Sequence, residues 1–574
     1  MAYGQLNVVL CWHMHQPWYR DGLDGDYRLP WVYLHGMKDY SDMAFHLERH
    51  PRMQAVVNFA PVLLEQLDDY ARQLKAFLQS GTPMQDKLLN LLAGVEPIPS
   101  SKEARTELIA ECQRCHAPRM IHPHLPFQRL FKMIGATDET GVGSQRFRCP
   151  LSYLSEQYFL DLLTWYHLAW LGQSLQDLPV VQRLMKQGAE YTLADRRELL
   201  GVISDCLAGL IPRYRVLAER GQVELSMTPY MHPIVPLLND FQNMRCSLPD
   251  APMPHAENYP GGQERSRWHL QRGIDVFEHY FGMKPQGVWL SEGGVSDDAV
   301  SLLDEFGIRW TASGEGVWRN SCRLSGYDGE DEHSKRSLFV PYQQPDSDVR
   351  LFFRDDGLSD LIGFKYSDWH ARDAVGDFVQ HLENIAVFLN HHASEKVVSI
   401  ILDGENAWEY YPNNGSYFLD ALYTALIHSD QINVTTFAQA SELPTRPMPA
   451  LCAGSWVYGS FSTWIGSSDK NRGWDYLVEA KSSFDEVMAA GTLDAKQQEL
   501  ASRQLGVCEG SDWFWWFGDY NPSDSVRDFE RLYRRQLRKL YTLLGLEAPA
   551  YLDKPVSQGG GSAENAGTMR RNVA

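Results

Sequence analysis

Two acids stand where apolar runs end. In "GVWLSEGGVS" Glu292 lies just past Val288, Trp289 and Leu290, and in "SIILDGENAWEYYP" Asp403 follows Ile400, Ile401 and Leu402 directly. A continuous apolar run reads as a strand buried on both faces. In parallel α/β folds the residues just past a strand's carboxyl end face the ligand. Two carboxylates brought to one cleft are the minimum equipment for glycoside hydrolysis: one stays ionised, and the other stays protonated to donate to the leaving oxygen. The glycines of "SEGG" and "LDGEN" permit tight turns that hold both side chains exposed. The bland reading of either acid is an ordinary loop polar group, since the chain has 73 Asp and Glu.

Other polar and aromatic residues gather at the same ends. "CWHMHQPWYR" offers His13, His15 and Gln16. "QVELSM" holds Glu224 and is followed by His232, Trp289 precedes Glu292 by three positions, and "FFRDDGLSD" carries Arg354 and Asp355. Glu405 and Trp408 come just after Asp403. A metal reading competes for these residues. His13 and His15 face one side of an extended segment, and with His232 or Asp355 they could bind zinc and activate water. The Gln-Pro-Trp next to them is hydrogen-bonding and stacking equipment instead, so no metal and no cofactor is assigned. "CQRCH", with Cys112, Cys115 and His116, matches the haem c attachment pattern, and a small structural zinc site with His122 and His124 is a second reading. Coincidence within a helical insertion outweighs both.

These residues need a scaffold. Apolar runs recur at Leu6–Cys11, Ala55–Phe59, Val223–Met227, Gly287–Leu290, Ile308–Ala312, Val349–Phe353 and Val397–Leu402. Seven strands with crossovers between them suit a parallel α/β barrel. Residues 61–215 form a long, mainly helical insertion within a catalytic region of residues 1–440. Residues 441–552 read as a helical carboxyl-terminal region with strong amphipathic periodicity. Residues 553–574, rich in Gly and Ser, are expected to be disordered. Trp464, Trp474, Trp513, Trp515 and Trp516 crowd the carboxyl-terminal region. Flat aromatic faces suit sugar rings, although at least half of the 513–516 stretch reads as core.

The net charge is −20, without a basic stripe, which argues against nucleic acid as a partner. The amino terminus lacks the pattern of a secretory signal, and no apolar run approaches the roughly 20 residues of a membrane span. Nine scattered cysteines do not suggest a disulfide framework. A cytoplasmic enzyme with no membrane partner is the expectation.

"HMHQPW", "GQVELSMTPYMHPI", "GVWLSEGGVS", "LDGENAWEYYP" and "FSTWIGSSDKNRGWDY" resemble, in order, the five sequence regions of glycoside hydrolase family 57. The resemblance runs from residue 8 to about residue 520 and leans to the amylase and amylopullulanase branch. It implies a distorted (β/α)7 barrel, a helical region closing the site, and a retaining mechanism on α-glucans without an obligatory metal. By position it implies Glu292 as nucleophile and Asp403 as general acid/base. It implies His13 and Glu224 as substrate-binding residues, with Trp289 as an aromatic contact and Trp464 near the sugar. Gln16, His15, His232, Arg354, Asp355, Glu405, Trp408 and Trp513 complete the expected binding set. "DGENAWEYYP" differs from the Asp-Asp-Gly-Glu-Lys form associated with the family's glucanotransferases, which favours hydrolysis. The alternatives are a 4-α-glucanotransferase or branching enzyme on the same scaffold, a metal-dependent carbohydrate deacetylase, and a non-catalytic glucan-binding protein.

Overall fold

The computed structural model describes residues 5–135, 151–326, 335–561 and 568–569. Its centre is a parallel sheet of β1 (Leu6–Met14), β2 (Ala55–Phe59), β3 (Val223–Met227), β7 (Val397–Asp403) and β8 (Ile432–Val434). The order is β3-β2-β1-β7, and β8 lies beside the amino half of β1. β2 pairs only from Cys11 onward, so β8 satisfies the backbone of Leu6–Val8 that β2 does not reach. A second sheet runs β4 (Trp310–Ser313), β6 (Arg350–Phe353), β5 (Tyr342–Gln343), β9 (Arg446–Pro447).

The expected strand at Gly287–Leu290 is replaced by two isolated parallel bridges, Met227 to Val288 and Gly287 to Trp310. A third bridge joins Arg354 to Ser399. The hydrogen bonding therefore forms two sheets linked by single bridges rather than one continuous ladder. At the second of these bridges the backbones approach closely: a Cβ on Gly287 would lie 1.8 Å from the Trp310 indole.

The chain between β2 and β3 is helical where it is described. The long helices there are Pro61–Ser80, Glu156–Trp170 and Leu193–Glu219, the last opened by a reciprocal Thr192–Asp195 capping box. Helix does not begin at residue 441. Residues 446–447 add a strand to the second sheet, and the Gly- and Ser-rich stretch from there to Ser467 has no helix of its own. Ser468–Ala490, Ala495–Cys508 and Ser523–Leu543 then form the helical region. The tail differs from the expected disorder up to residue 561. Val556 is buried, Ser557 Oγ accepts from Gly518 N at 2.8 Å, and Gly561 lies where a Cβ would strike the Tyr520 backbone. Residues 562–567 and 570–574 of the tail lie outside the described residues.

The helical region is fastened by a buried ionic cluster. Glu509 receives Arg265 at 2.7 Å and His269 Nε2 at 2.8 Å, and Tyr259 donates to it at 2.6 Å. Burial would raise this carboxyl, yet the Arg265 charge and His269 hold it down to about 2. Among the described residues no helix is long and apolar enough to cross a membrane.

Candidate active site

The period of two along a strand decides which side chains share a face at the strand ends. In β1, Val8, Leu10, Trp12 and Met14 belong to the outer core, whereas Val9 and Cys11 belong to the inner one. His13 is the next inner position. In β7, Val398, Ile400 and Leu402 face outward while Val397 and Ile401 face inward, so Asp403 continues the inner row. In β2 the inner Val56 is followed by Asn58. Register then places Asn58, His13 and Asp403 side by side on three neighbouring strands.

This row borders a cavity of about 1530 Å³. Its lining includes His13, His15, Gln16, Glu292, Arg354, Asp403 and Glu405. The 61–215 insertion supplies one wall through residues such as Asp86, Glu111 and His116, and the carboxyl-terminal region supplies another through Asp512, Trp515 and Trp516.

Asn58 Oδ1 accepts from Thr228 Oγ1 at 2.9 Å, while its Nδ2 donates to Ser226 Oγ at 3.0 Å. His13 Nδ1 lies 2.7 Å from the same Oδ1 and so carries the proton, which leaves Nε2 as an acceptor. Burial, helped by the neighbouring His15, lowers His13 to about 3 against the Asn58 bond. The ring is therefore neutral. Burial raises Asp403 to about 6, opposed by a 2.9 Å hydrogen bond from Asn406 Nδ2 and by the charges of His15 and Arg354. Glu405 is raised further by burial and by Asp403 and Asp39. One of its oxygens accepts from Gln16 Nε2 and Tyr40 OH, both at 3.2 Å.

Glu292 sits in the left-handed region with φ +58°, followed by Gly293 at φ +57°. A Cβ on Gly293 would come within 2.7 Å of the Trp289 ring, so the turn requires glycine there. For a non-glycine residue this backbone costs about 1–3 kcal/mol and persists only when its surroundings hold it. Trp456 holds it twice: its backbone N donates to Glu292 O at 3.1 Å, and its indole Nε1 donates to Glu292 Oε2 at 3.1 Å. Arg354 packs over the Trp456 ring at 5.4 Å while bonding Asp356 and Asp360 at 2.7 Å each.

Several expected binding residues stand away from the cavity lining. Glu224 is the second residue of β3, at the strand's amino end, and accepts from Trp310 Nε1 at 2.6 Å and Ala438 N at 2.8 Å. Asp355 caps the helix Asp356–Asp360 through Leu358 N. Trp408, Trp464 and Trp513 are buried, and Trp408 and Trp513 donate to the carbonyls of Gly404 and Val507. Trp289 belongs to the inner core and packs edge-on against Trp456 at 5.3 Å. His232 lies behind His15, its ring stacked 3.7 Å away and its Nδ1 paired with Ser511 Oγ at 2.8 Å. Sequence reasoning misses Asn58, Asn406, Trp456 and Asp512. Asn58 has a visible signal, a lone amide inside the apolar run "AVVNF".

Among the described residues one group has metal-ligand spacing: His15, His232 and Asp512. The two imidazoles stack at an interplanar angle of only 14°, so their lone pairs run side by side instead of converging. His15 Nε2 already pairs with Asp512 Oδ1 at 2.9 Å. The arrangement does not fit a metal without rotation of a ring. Cys112 and Cys115 do not gather with His116, whose Nδ1 donates to Glu409 O at 3.0 Å.

Solved structures with this fold include a glycoside hydrolase family 57 branching enzyme from Thermococcus kodakaraensis, in complex with glucose. It is 16% identical, with 94% of this chain and 90% of that chain covered and a TM-score of 0.56. A branching enzyme from Pyrococcus horikoshii gives 16% identity, coverage of 99% and 100%, and a TM-score of 0.54. An α-amylase from Thermotoga maritima gives 12% identity, coverage of 94% and 93%, and a TM-score of 0.54. The sequence model of glycosyl hydrolase family 57 matches residues 9–451, a span that contains Glu292, Asp403 and the strands around them. The chain belongs to glycosyl hydrolase family 57 and is an enzyme of glycosidic bonds, a glycoside hydrolase or transglycosylase.

Proposed function

We propose that this enzyme is a retaining glycoside hydrolase acting on α-glucans such as starch, glycogen and maltooligosaccharides, with Glu292 as nucleophile and Asp403 as general acid/base. The observation that carries the reading is their difference in setting on one cavity. Asp403 is raised to about 6, which keeps a share of it protonated near neutral pH, while Glu292 Oε2 is oriented by the Trp456 indole. Glu292 attacks the anomeric carbon and forms a glycosyl ester as Asp403 gives its proton to the departing oxygen. Asp403 then takes a proton from the incoming water or sugar hydroxyl, and that oxygen displaces Glu292. His13 Nε2, Gln16 and Glu405 offer hydrogen bonds to sugar hydroxyls, and Arg354 holds the Trp456 ring.

Residues 1–440 are read as the catalytic barrel, and the three single bridges support treating the two sheets as arcs of one distorted (β/α)7 ring. Residues 441–552 complete the cleft. Transfer in place of hydrolysis, as in a 4-α-glucanotransferase or branching enzyme, is favoured by one observation. The cavity exceeds the 300–1,000 Å³ typical of small-ligand sites, and Trp515 and Trp516 offer stacking surfaces for an acceptor chain.

The test is incubation with maltoheptaose in the presence of chelator, with products separated by chromatography, beside Glu292→Gln and Asp403→Asn. Shorter sugars with rising reducing ends support hydrolysis, and longer sugars at constant reducing ends support transfer. A wild type inert on α-glucans, or either variant with full activity, overturns the assignment.

A further inference from the structure

Cys246 ends the short helical turn Phe241–Cys246 and is exposed; Cys452 is buried, with its backbone N donating to Ser321 Oγ at 2.9 Å. Their sulfurs lie 3.0 Å apart although the residues are 206 positions apart in the chain. That is roughly 1 Å beyond the ~2.05 Å bond of a disulfide, so closure needs only a small shift. The other six described cysteines are buried or half-buried.

The two thiols are unequal. The bond shared by the two sulfurs lowers Cys246, against burial and the Asp297 charge, and raises Cys452. The exposed Cys246 sulfur is the one a dissolved disulfide can reach, while Cys452 is shielded by burial. The pair also joins two parts of the molecule. Phe241 packs edge-on against Trp474, and Asn471 Nδ2 donates to Pro252 O at 3.1 Å, which anchors the Cys246 loop to the helix Ser468–Ala490. Two residues beyond Cys452, Gly454 exchanges backbone hydrogen bonds with Val295 at 2.9 and 3.1 Å, and Trp456 comes next but one.

We propose that Cys246 and Cys452 form a thiol–disulfide modification site, closed by a low-molecular-weight disulfide such as oxidised glutathione. The Cys246 thiolate attacks one sulfur of the reagent, forming a mixed disulfide and releasing one glutathione thiolate, which takes up a proton from water. Cys452 gives up its proton to solvent, its sulfur attacks Cys246 Sγ, and the second glutathione leaves as thiolate and is protonated. The protein loses two protons and two electrons, and the reagent gains them as two thiols. The closed bond clamps residues 452–456 to the loop anchored on the carboxyl-terminal helices. The site stands on its own geometry, independent of the glucan reading.

The experiment is mild treatment of the folded, full-length protein with oxidised glutathione, followed by non-reducing peptide mapping. The expected result is a Cys246–Cys452 linked peptide, two hydrogens lighter than its parts, reopened by dithiothreitol. Cys246→Ser, an exposed change that leaves the packing intact, should abolish both link and adduct. Cys452→Ser should trap glutathione on Cys246. Glutathione that persists on Cys246 in the wild type, a cross-link elsewhere, or no reaction at Cys246 overturns the assignment.

Discussion

The Trp456 indole donates to Glu292 Oε2 at 3.1 Å, from a residue 164 positions further along the chain. If Glu292 is the nucleophile, this bond fixes the rotamer from which it attacks. Trp456→Phe keeps an aromatic ring over Arg354 but removes the donor. A hydrogen bond to a charged group is worth about 1.5–3 kcal/mol, so kcat/KM should fall by roughly 10–100-fold. Melting temperature measured beside the kinetics should change little, and a normal rate in this variant counts against the orienting role.

If Asp403 is the proton donor, it sets a pH limit: with its carboxyl raised to about 6, kcat/KM should decline as pH rises above that value. The Asn406 bond favours the charged form, so Asn406→Ala should move the declining limb to higher pH in a pH–rate profile. An identical profile refutes the link.

The same shift bears on stability. A carboxyl raised in the folded state favours folding fully below its unfolded value near 4, and that contribution is lost as pH rises through about 6. Asp403→Asn should therefore stabilise the protein at pH 8 by about 2–3 kcal/mol and much less at pH 4. Denaturant unfolding at the two pH values provides the comparison.

Glu509 works in the opposite sense. Held at about 2 by Arg265 and His269, its contribution is present above pH 4.5 and lost as pH falls toward 2. Glu509→Gln removes a buried partner and should destabilise by about 3–5 kcal/mol at neutral pH. Thermal melts should show the wild type and variant converging in acid.

The parallel stacking of His15 and His232 leaves their lone pairs unconverged on any point. Activity should accordingly survive dialysis against a strong chelator and gain nothing from added zinc. Loss on dialysis with recovery on zinc would transfer the chemistry to that histidine cluster.

Residues placed by strand alternation are legible in the sequence. Once Ile400–Leu402 reads as a buried strand, Asp403 has to emerge at its end, and His13 obeys the same rule. Glu224 shows where that logic stops. By family resemblance it groups with the binding residues, but it is the second residue of the run Val223–Met227, and its carboxylate is taken up by Trp310 and Ala438 at the strand's amino end. Asp355 becomes a helix cap because a short helix starts directly after it. Trp456 is hidden because its role depends on a partner brought near by folding, and no local pattern encodes that. The 287–290 segment looks like a strand by composition, and the Trp310 ring lying against Gly287 is a contact that composition does not carry.

The cavity's walls come from widely separated parts of the chain: the row on β1 and β7, the helices after β2, and residues from Asp512 onward. Chains fold during synthesis from the amino end. The segments bearing His13, Glu292 and Asp403 therefore emerge from the ribosome well before Asp512, Trp515 and Trp516. A nascent or prematurely terminated chain would carry Glu292 and Asp403 on an open floor, exposed to bulk water, so a finished cavity doubles as a check that translation has passed residue 516.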